Sequence, residues 1–143
     1  MNELQVLMRA RDLVERNWTK RTLARDVWGD EVSPYEVTAR SFCAIGAVRR
    51  AQYEIGGRVP DKPMFRSPGG RVLVQVCPLP GFGSGFNILT KVSTFNDTHS
   101  KEEVLALFDE AISRLLKEVY ALEGRTPDQP DVDSSEPVVA GVS

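Results

Sequence analysis

Residues 39–51, Ala-Arg-Ser-Phe-Cys-Ala-Ile-Gly-Ala-Val-Arg-Arg-Ala, constrain the fold more than any other stretch. Seven consecutive residues from Phe42 to Val48 carry no charge, and four of them are Cys, Ala or Gly. Wound into a helix, Phe42, Ile45 and Val48 point in three directions, and a helix apolar nearly all round must be buried on nearly all sides. The small residues Cys43, Ala44, Gly46 and Ala47 let neighbouring backbone come close, at a cost of roughly 1 kcal/mol for Gly46 relative to alanine. The stretch reads as a buried central helix. Ser33-Pro34-Tyr35-Glu36 has the residue order of a capping box and marks its start. Gly56-Gly57 supplies the left-handed cap that ends it.

Two flanking helices follow from periodicity. Leu4, Leu7, Ala10, Val14 and Trp18 place an apolar stripe along residues 3–17. Ser100-Lys-Glu-Glu103 is a second capping box, opening a helix whose stripe runs through Val104, Phe108, Ala111, Ile112 and Leu115 to Val119. Glu110 and Arg114 can pair one turn apart on its wet face. That helix stops before Gly124.

Between these anchors the signals are shorter. Trp28-Gly29-Asp30 reads as a tight turn joining short strands at 22–27 and 31–32, in preference to a continued helix. Arg71-Val-Leu-Val-Gln-Val-Cys77 is a β-branched run bounded by turn residues and reads as a strand. Ile88, Leu89, Val92 and Phe95 recur at helical spacing, which is preferred over the strand alternation also present there. The expected architecture is a helix-rich α+β single domain over residues 1–123, a buried central helix with two flanking helices and a small sheet or hairpin. A Pro/Gly-rich insertion occupies 58–87, with a mobile glycine-rich loop at 78–86. Residues 124–143 carry Asp128, Asp131, Asp133 and Glu136 against Arg125 and lack apolar periodicity, so they read as a disordered acidic tail.

Composition limits the function classes. A chain of 143 residues with 41% hydrophobic residues can build one core. No stretch approaches the length needed to span a bilayer, and the N-terminus lacks the apolar core of a signal peptide. Two cysteines do not make a disulfide framework, so a reducing cytoplasm is the expected location.

The landmarks Trp18, Ala24-Arg25-Asp26 with Gly29, Phe42-Cys43-Ala44-x-Gly46-Ala47-x-x-Arg50-Ala51 and Phe95-Asn96-Asp97 resemble a family of small uncharacterised bacterial, plasmid and phage proteins, grouped only as a domain of unknown function. The resemblance implies a compact helix-rich domain and supplies no reaction, cofactor or partner. Segment 58–87 is where the chain departs from that pattern.

Candidate chemistry is sparse. His99 is the one histidine and there is no Cys-x-x-Cys, so no metal or other cofactor is expected. A cysteine hydrolase would need Cys77 activated by His99 and oriented by Asp97; Cys43 sits where a small core residue is wanted. Arg25, Asp26, Arg50, Asn96 and Asp97 form either a polar site or a structural network, with residues 96–100 suited to an Asx turn and N-cap. Gly81-Phe-Gly-Ser-Gly85 lacks the Lys-Ser/Thr of a phosphate loop. Phe65, Arg66, Phe82 and Phe86 make the insertion a contact surface. Between Arg9 and Arg71 there are 13 Lys/Arg against 8 Asp/Glu, a local excess that would suit nucleic acid, although the overall isoelectric point near 5.5 does not. By elimination the expected function is a non-enzymatic binding or regulatory protein that recognises another protein, of the kind encoded by mobile elements. A nucleic-acid-binding accessory protein and a small Cys/His/Asp hydrolase are the alternatives. Self-association stays open, and a membrane role is not expected.

Overall fold

The computed structural model describes residues 1–78 and 85–124, and the backbone alone for 85–89. Helix α1 (Glu3–Arg16) leads to three two-residue strands, β1 (Ala24–Arg25), β2 (Glu31–Val32) and β3 (Ser41–Phe42). Helix α2 (Ala44–Gly56) follows, then a 3-10 turn at Met64–Arg66, α3 (Gly70–Val76), α4 (Gly85–Thr98) and α5 (Lys101–Leu122). The chain is a helix-rich α+β domain. The expected loop at 78–86 and tail at 124–143 fall mostly outside the described residues.

Local capping explains where the long helices begin and end. Asn2 accepts from Leu4 N and Gln5 N to open α1, and Ser100 with Glu103 forms the anticipated capping box of α5. Gly57, at φ 78°, closes α2 in the left-handed conformation that favours glycine. Helix α1 packs against both α2 and α5. Its Val6, Leu7, Ala10 and Val14 meet Ala47, Val48 and Ala51 of α2 and Val104, Phe108 and Ala111 of α5 in one apolar cluster. Ion pairs stitch the rim: Arg9 to Glu54, Arg11 to Asp109, and Arg71 to both Glu3 and Glu118.

The central stretch divides differently from its sequence reading. Ser33-Pro34-Tyr35-Glu36 makes a turn, with Ser33 Oγ accepting from Tyr35 N at 3.2 Å and Ser33 O accepting from Glu36 N at 3.1 Å. No helix grows from it, because the chain returns to the sheet. Ser41 and Phe42 pair antiparallel with Arg25 and Ala24, and β1 lies between β2 and β3. Burial of Phe42 and the β1–β3 ladder outweigh a single helical turn, whose nucleation is unfavourable. Helix α2 starts only at Ala44, with Cys43 as its N-cap. Ala44, Gly46, Ala47, Val48, Ala51 and Gln52 are buried, as the small-residue pattern requires.

The run at 71–77 is helical rather than extended. Val72, Leu73 and Val74 are buried as α3 packs against α5, and this packing overrides a β-propensity that depends on context. Residues 85–98 take the helical alternative, and α4 is longer than the spacing of its apolar residues suggested. Among the described residues no helix is long and apolar enough to cross a membrane.

Candidate functional site

Asn96, fully buried on α4, holds three segments together. Its Oδ1 accepts from Trp18 Nε1 at 2.8 Å and from Ala44 N at 2.9 Å. Its Nδ2 donates to Thr19 O and to Asp97 Oδ1, both at 3.1 Å. An asparagine amide offers two donors and two acceptor sites, and all four are in use. Asp97 Oδ1 also accepts from Arg21 N at 2.9 Å. That bond pins Arg21 at φ 67°, which makes it the one non-glycine residue in the left-handed region among the described residues. Beside this node Cys43 N donates to Leu23 O, and Cys43 Sγ accepts from Gly46 N at 3.3 Å. A Cβ on Gly46 would overlap the Leu23 carbonyl oxygen, so glycine is the residue that lets α2 lie against the chain entering β1. Burial pushes the Cys43 thiol up from its ordinary pKa, against the lowering pull of the Gly46 N–H.

The five polar residues marked in the sequence fall into three sets. Asn96 and Asp97 clamp residues 18–21. Arg25 braces the hairpin, donating to Thr19 Oγ1 at 2.9 Å, Gly29 O at 3.1 Å and Lys20 O at 3.1 Å. Arg50 is tied to the loop before β3, donating to Pro34 O and Glu36 O, and it pairs with Glu54 at 2.8 Å over the Phe42 ring. Neither arginine meets Asp97, and Asp26 is consumed by its own turn. These groups act as ties between backbone segments and do not share one cleft.

The sequence reading marked the hairpin turn at 28–30 but not the exposure of its tip. Asp26 Oδ1 accepts from Trp28 N at 2.9 Å and from Asp30 N at 3.0 Å. Asp26 N donates to Asp30 O, Gly29 N donates to Asp26 O, and Arg25 holds Gly29 O from the side. Gly29, at φ 87°, completes the turn. This bonding fixes the backbone, yet Val27 is 73% exposed and Trp28 84% exposed. Buried tryptophan is among the strongest contributors to cores and interfaces, so one held out in water on a braced turn is informative. The available signal was Asp26 two residues before Trp28, an Asx-turn spacing that fixes the turn but not the direction of the indole.

Of the remaining marked residues, Asp97 and His99 take separate partners. Asp97 is committed to Arg21 N and Asn96, while His99 Nδ1 lies 3.0 Å from Phe95 O and 3.0 Å from Thr98 Oγ1, so the carboxylate does not orient the imidazole. Cys77 is buried, with Sγ directed at Lys91 O at 3.7 Å. Among the described residues no three His, Cys, Asp or Glu side chains are grouped to hold a metal ion. Phe65 and Arg66 are exposed on the 3-10 turn. Phe82 and the Phe86 side chain lie outside the described residues. Much of the basic excess is engaged internally: Arg9, Arg11, Arg16, Arg50 and Arg71 in ion pairs, and Arg25 and Arg40 on backbone carbonyls.

Among the described residues, five helices and a three-stranded sheet that packs on α1 and α2, with a buried asparagine joining them, define the class: a small α+β domain with a braced, aromatic hairpin tip. The chain belongs to a family of unknown function, DUF6197, whose family model matches residues 1–114. The matched span takes in the node, the tip and the whole of 58–87. No curated protein and no solved structure is similar enough to the chain to register as a match.

Proposed function

We propose that the chain is a non-enzymatic binding protein that recognises another protein through Val27 and Trp28. The observation that carries this reading is the 84% exposure of Trp28 on a turn whose backbone is already fixed by Asp26 and Arg25. Covering an indole removes on the order of 150–200 Å² from water. At about 25 cal/mol/Å² that is a gross gain of about 4–5 kcal/mol. Truncation of such an anchor typically costs about 2–4 kcal/mol of binding. Because the turn is ordered before contact, little of that gain is lost to ordering the backbone. Phe65 and Arg66 provide a second, less exposed contact surface on the 58–87 segment.

The test is affinity capture from the native host with the wild-type chain, Trp28→Ala and Phe65→Ala/Arg66→Ala, each first shown to be folded by circular dichroism. The expected result is a partner retained by the wild type and the Phe65/Arg66 variant and lost, by about 30-fold or more in affinity, with Trp28→Ala. A partner bound equally well by Trp28→Ala would overturn the assignment to the tip.

A further inference from the structure

We propose that the open edge of β2, beside Val27 and Trp28, takes an extended basic segment of a partner protein as an added strand. This rests on the tip being a protein-recognition site and adds the chemistry of the partner. Strand β1 lies between β2 and β3. The far side of β3 is closed by the chain that precedes the sheet: Phe42 N donates to Asn17 O at 3.0 Å, and Thr19 N donates to Phe42 O at 3.1 Å. Among the described residues no strand pairs with the outer side of β2.

The ladder shows which groups that edge offers. Arg25 O accepts from Arg40 N at 2.8 Å, so the backbone of Arg25 faces β3. Asp26 N, one residue on, donates to Asp30 O and faces the β2 side. Residues opposite each other in an antiparallel pair alternate between bonded and non-bonded pairs. Arg25↔Glu31 is therefore a non-bonded pair, and the Glu31 N–H and C=O point outward, away from β1. Val32 faces back towards Ala24, and Ser33 O is taken by Glu36 N. The edge thus presents a complete donor–acceptor pair at Glu31, close in the chain to the exposed indole of Trp28. Such an edge is a template for strand addition, and the indole supplies the apolar contact that so short a ladder lacks.

Charge selects the occupant. From Arg25 to Glu36 the carboxylates of Asp26, Asp30, Glu31 and Glu36 stand against Arg25 alone. Among the described residues none of these carboxylates makes an ion pair. The Arg25 guanidinium is turned onto Thr19 Oγ1, Gly29 O and Lys20 O. Opposite charges facing each other across a strand pair stabilise it, and like charges destabilise it. A second copy paired antiparallel about Glu31 would set Glu31 against Glu31. A Lys or Arg in that place is favoured instead, and a neighbouring cation can lie over the Trp28 ring.

The probes are three blocked peptides, titrated to about 5 mM into the isotopically labelled full chain and followed by amide and indole NMR shifts. They are acetyl-Lys-Val-Arg-Val-Lys-amide, the same peptide with its central backbone nitrogen methylated so that it cannot donate, and the same peptide with glutamate for every cation. The basic peptide is expected to saturate with shifts at residues 26–33 and at the Trp28 indole, and to slow hydrogen exchange at Glu31 N–H. The methylated peptide should bind at least about fivefold more weakly, and the acidic one not at all. Glu31→Lys, at an exposed position, should weaken the basic peptide by about fivefold or more and admit the acidic one. Equal binding of basic and acidic peptides, an unchanged affinity in Glu31→Lys, shifts at Trp28 without protection of Glu31 N–H, or no saturation by the basic peptide would each overturn the added strand. The tip itself is judged separately, by whether Trp28→Ala loses the captured partner, so either reading can fail while the other stands.

Discussion

Asn96→Ala removes the one side chain that joins residues 18–19, Ala44 and Asp97. The Ala44 N–H is buried and would lose its partner at 2.9 Å, a desolvation cost of about 1–3 kcal/mol. Trp18 Nε1 is only half-buried and recovers water in part, so its loss adds about 1 kcal/mol. The cavity and the freed Thr19 carbonyl bring the expected total to about 3–5 kcal/mol, a large share of the ~5–15 kcal/mol available to an ordinary domain. Urea titration followed by far-ultraviolet circular dichroism should show a lower midpoint with an unchanged slope, and heating should show a loss of roughly 10–20 °C. Asn96→Asp gives an internal control, since it keeps both acceptors and loses both donors. Burial and the adjacent Asp97 raise the new carboxyl's folded pKa above its unfolded value. Its deficit relative to the wild type should therefore grow as pH rises through about 4 and shrink below it. An Asn96→Ala variant within about 1 kcal/mol of the wild type would refute the view of this residue as the lock of the fold.

Other substitutions separate the remaining effects. Gly46→Ala, whose methyl group would collide with the Leu23 carbonyl, should destabilise by about 3 kcal/mol or more, whereas Gly57→Ala, which adds only the strain of a positive φ in open space, should cost about 1–2 kcal/mol; denaturant midpoints compare the two. The Cys43 thiol, pushed up by burial, should react with iodoacetamide at pH 8 at least about 100-fold more slowly in the folded chain than in urea, read by mass spectrometry. For Glu54, burial alone would raise the pKa, but hydrogen bonds from Arg9 and Arg50 outweigh it and hold the carboxyl below its ordinary value. Glu54 therefore contributes stability above the unfolded carboxylate pKa that is lost as pH falls through the folded one. Glu54→Gln should cost about 1 kcal/mol or less at pH 7, and nothing measurable near pH 3, in parallel thermal melts.

Elements with local chemistry at their ends were legible in the sequence. The Ser100–Glu103 box, the Gly57 cap and the apolar stripes of α1 and α5 each lie within a few residues of the structure they specify. Helix α3 and strand β3 were not. A two-residue strand has no period to read, and the valines of α3 take their conformation from burial against α5, which no window of a few residues contains. Ser33-Pro34-Tyr35-Glu36 shows the same limit from the other side, because its side-chain and backbone bonds serve an isolated turn as well as a helix start. The candidate site was legible in part. Trp18, Cys43, Gly46, Asn96 and Asp97 could all be picked out, but their meeting place could not. Trp28 was visible as a turn residue; that its indole faces water depends on the strands either side of it.

The reach of Asn96 also bears on the order in which the molecule assembles. Its partners Trp18 and Ala44 lie 78 and 52 residues earlier in the chain. The sheet, by contrast, is closed by bonds among residues 17–42, such as Phe42 N to Asn17 O and Thr19 N to Phe42 O. Short-range closure is the cheaper step, so sheet and α2 are positioned to form before the asparagine binds. Contacts made after the rate-limiting step leave the folding rate nearly unchanged and accelerate unfolding when removed. Asn96→Ala is therefore expected to speed unfolding more than it slows folding, with the two limbs of a chevron plot as the check.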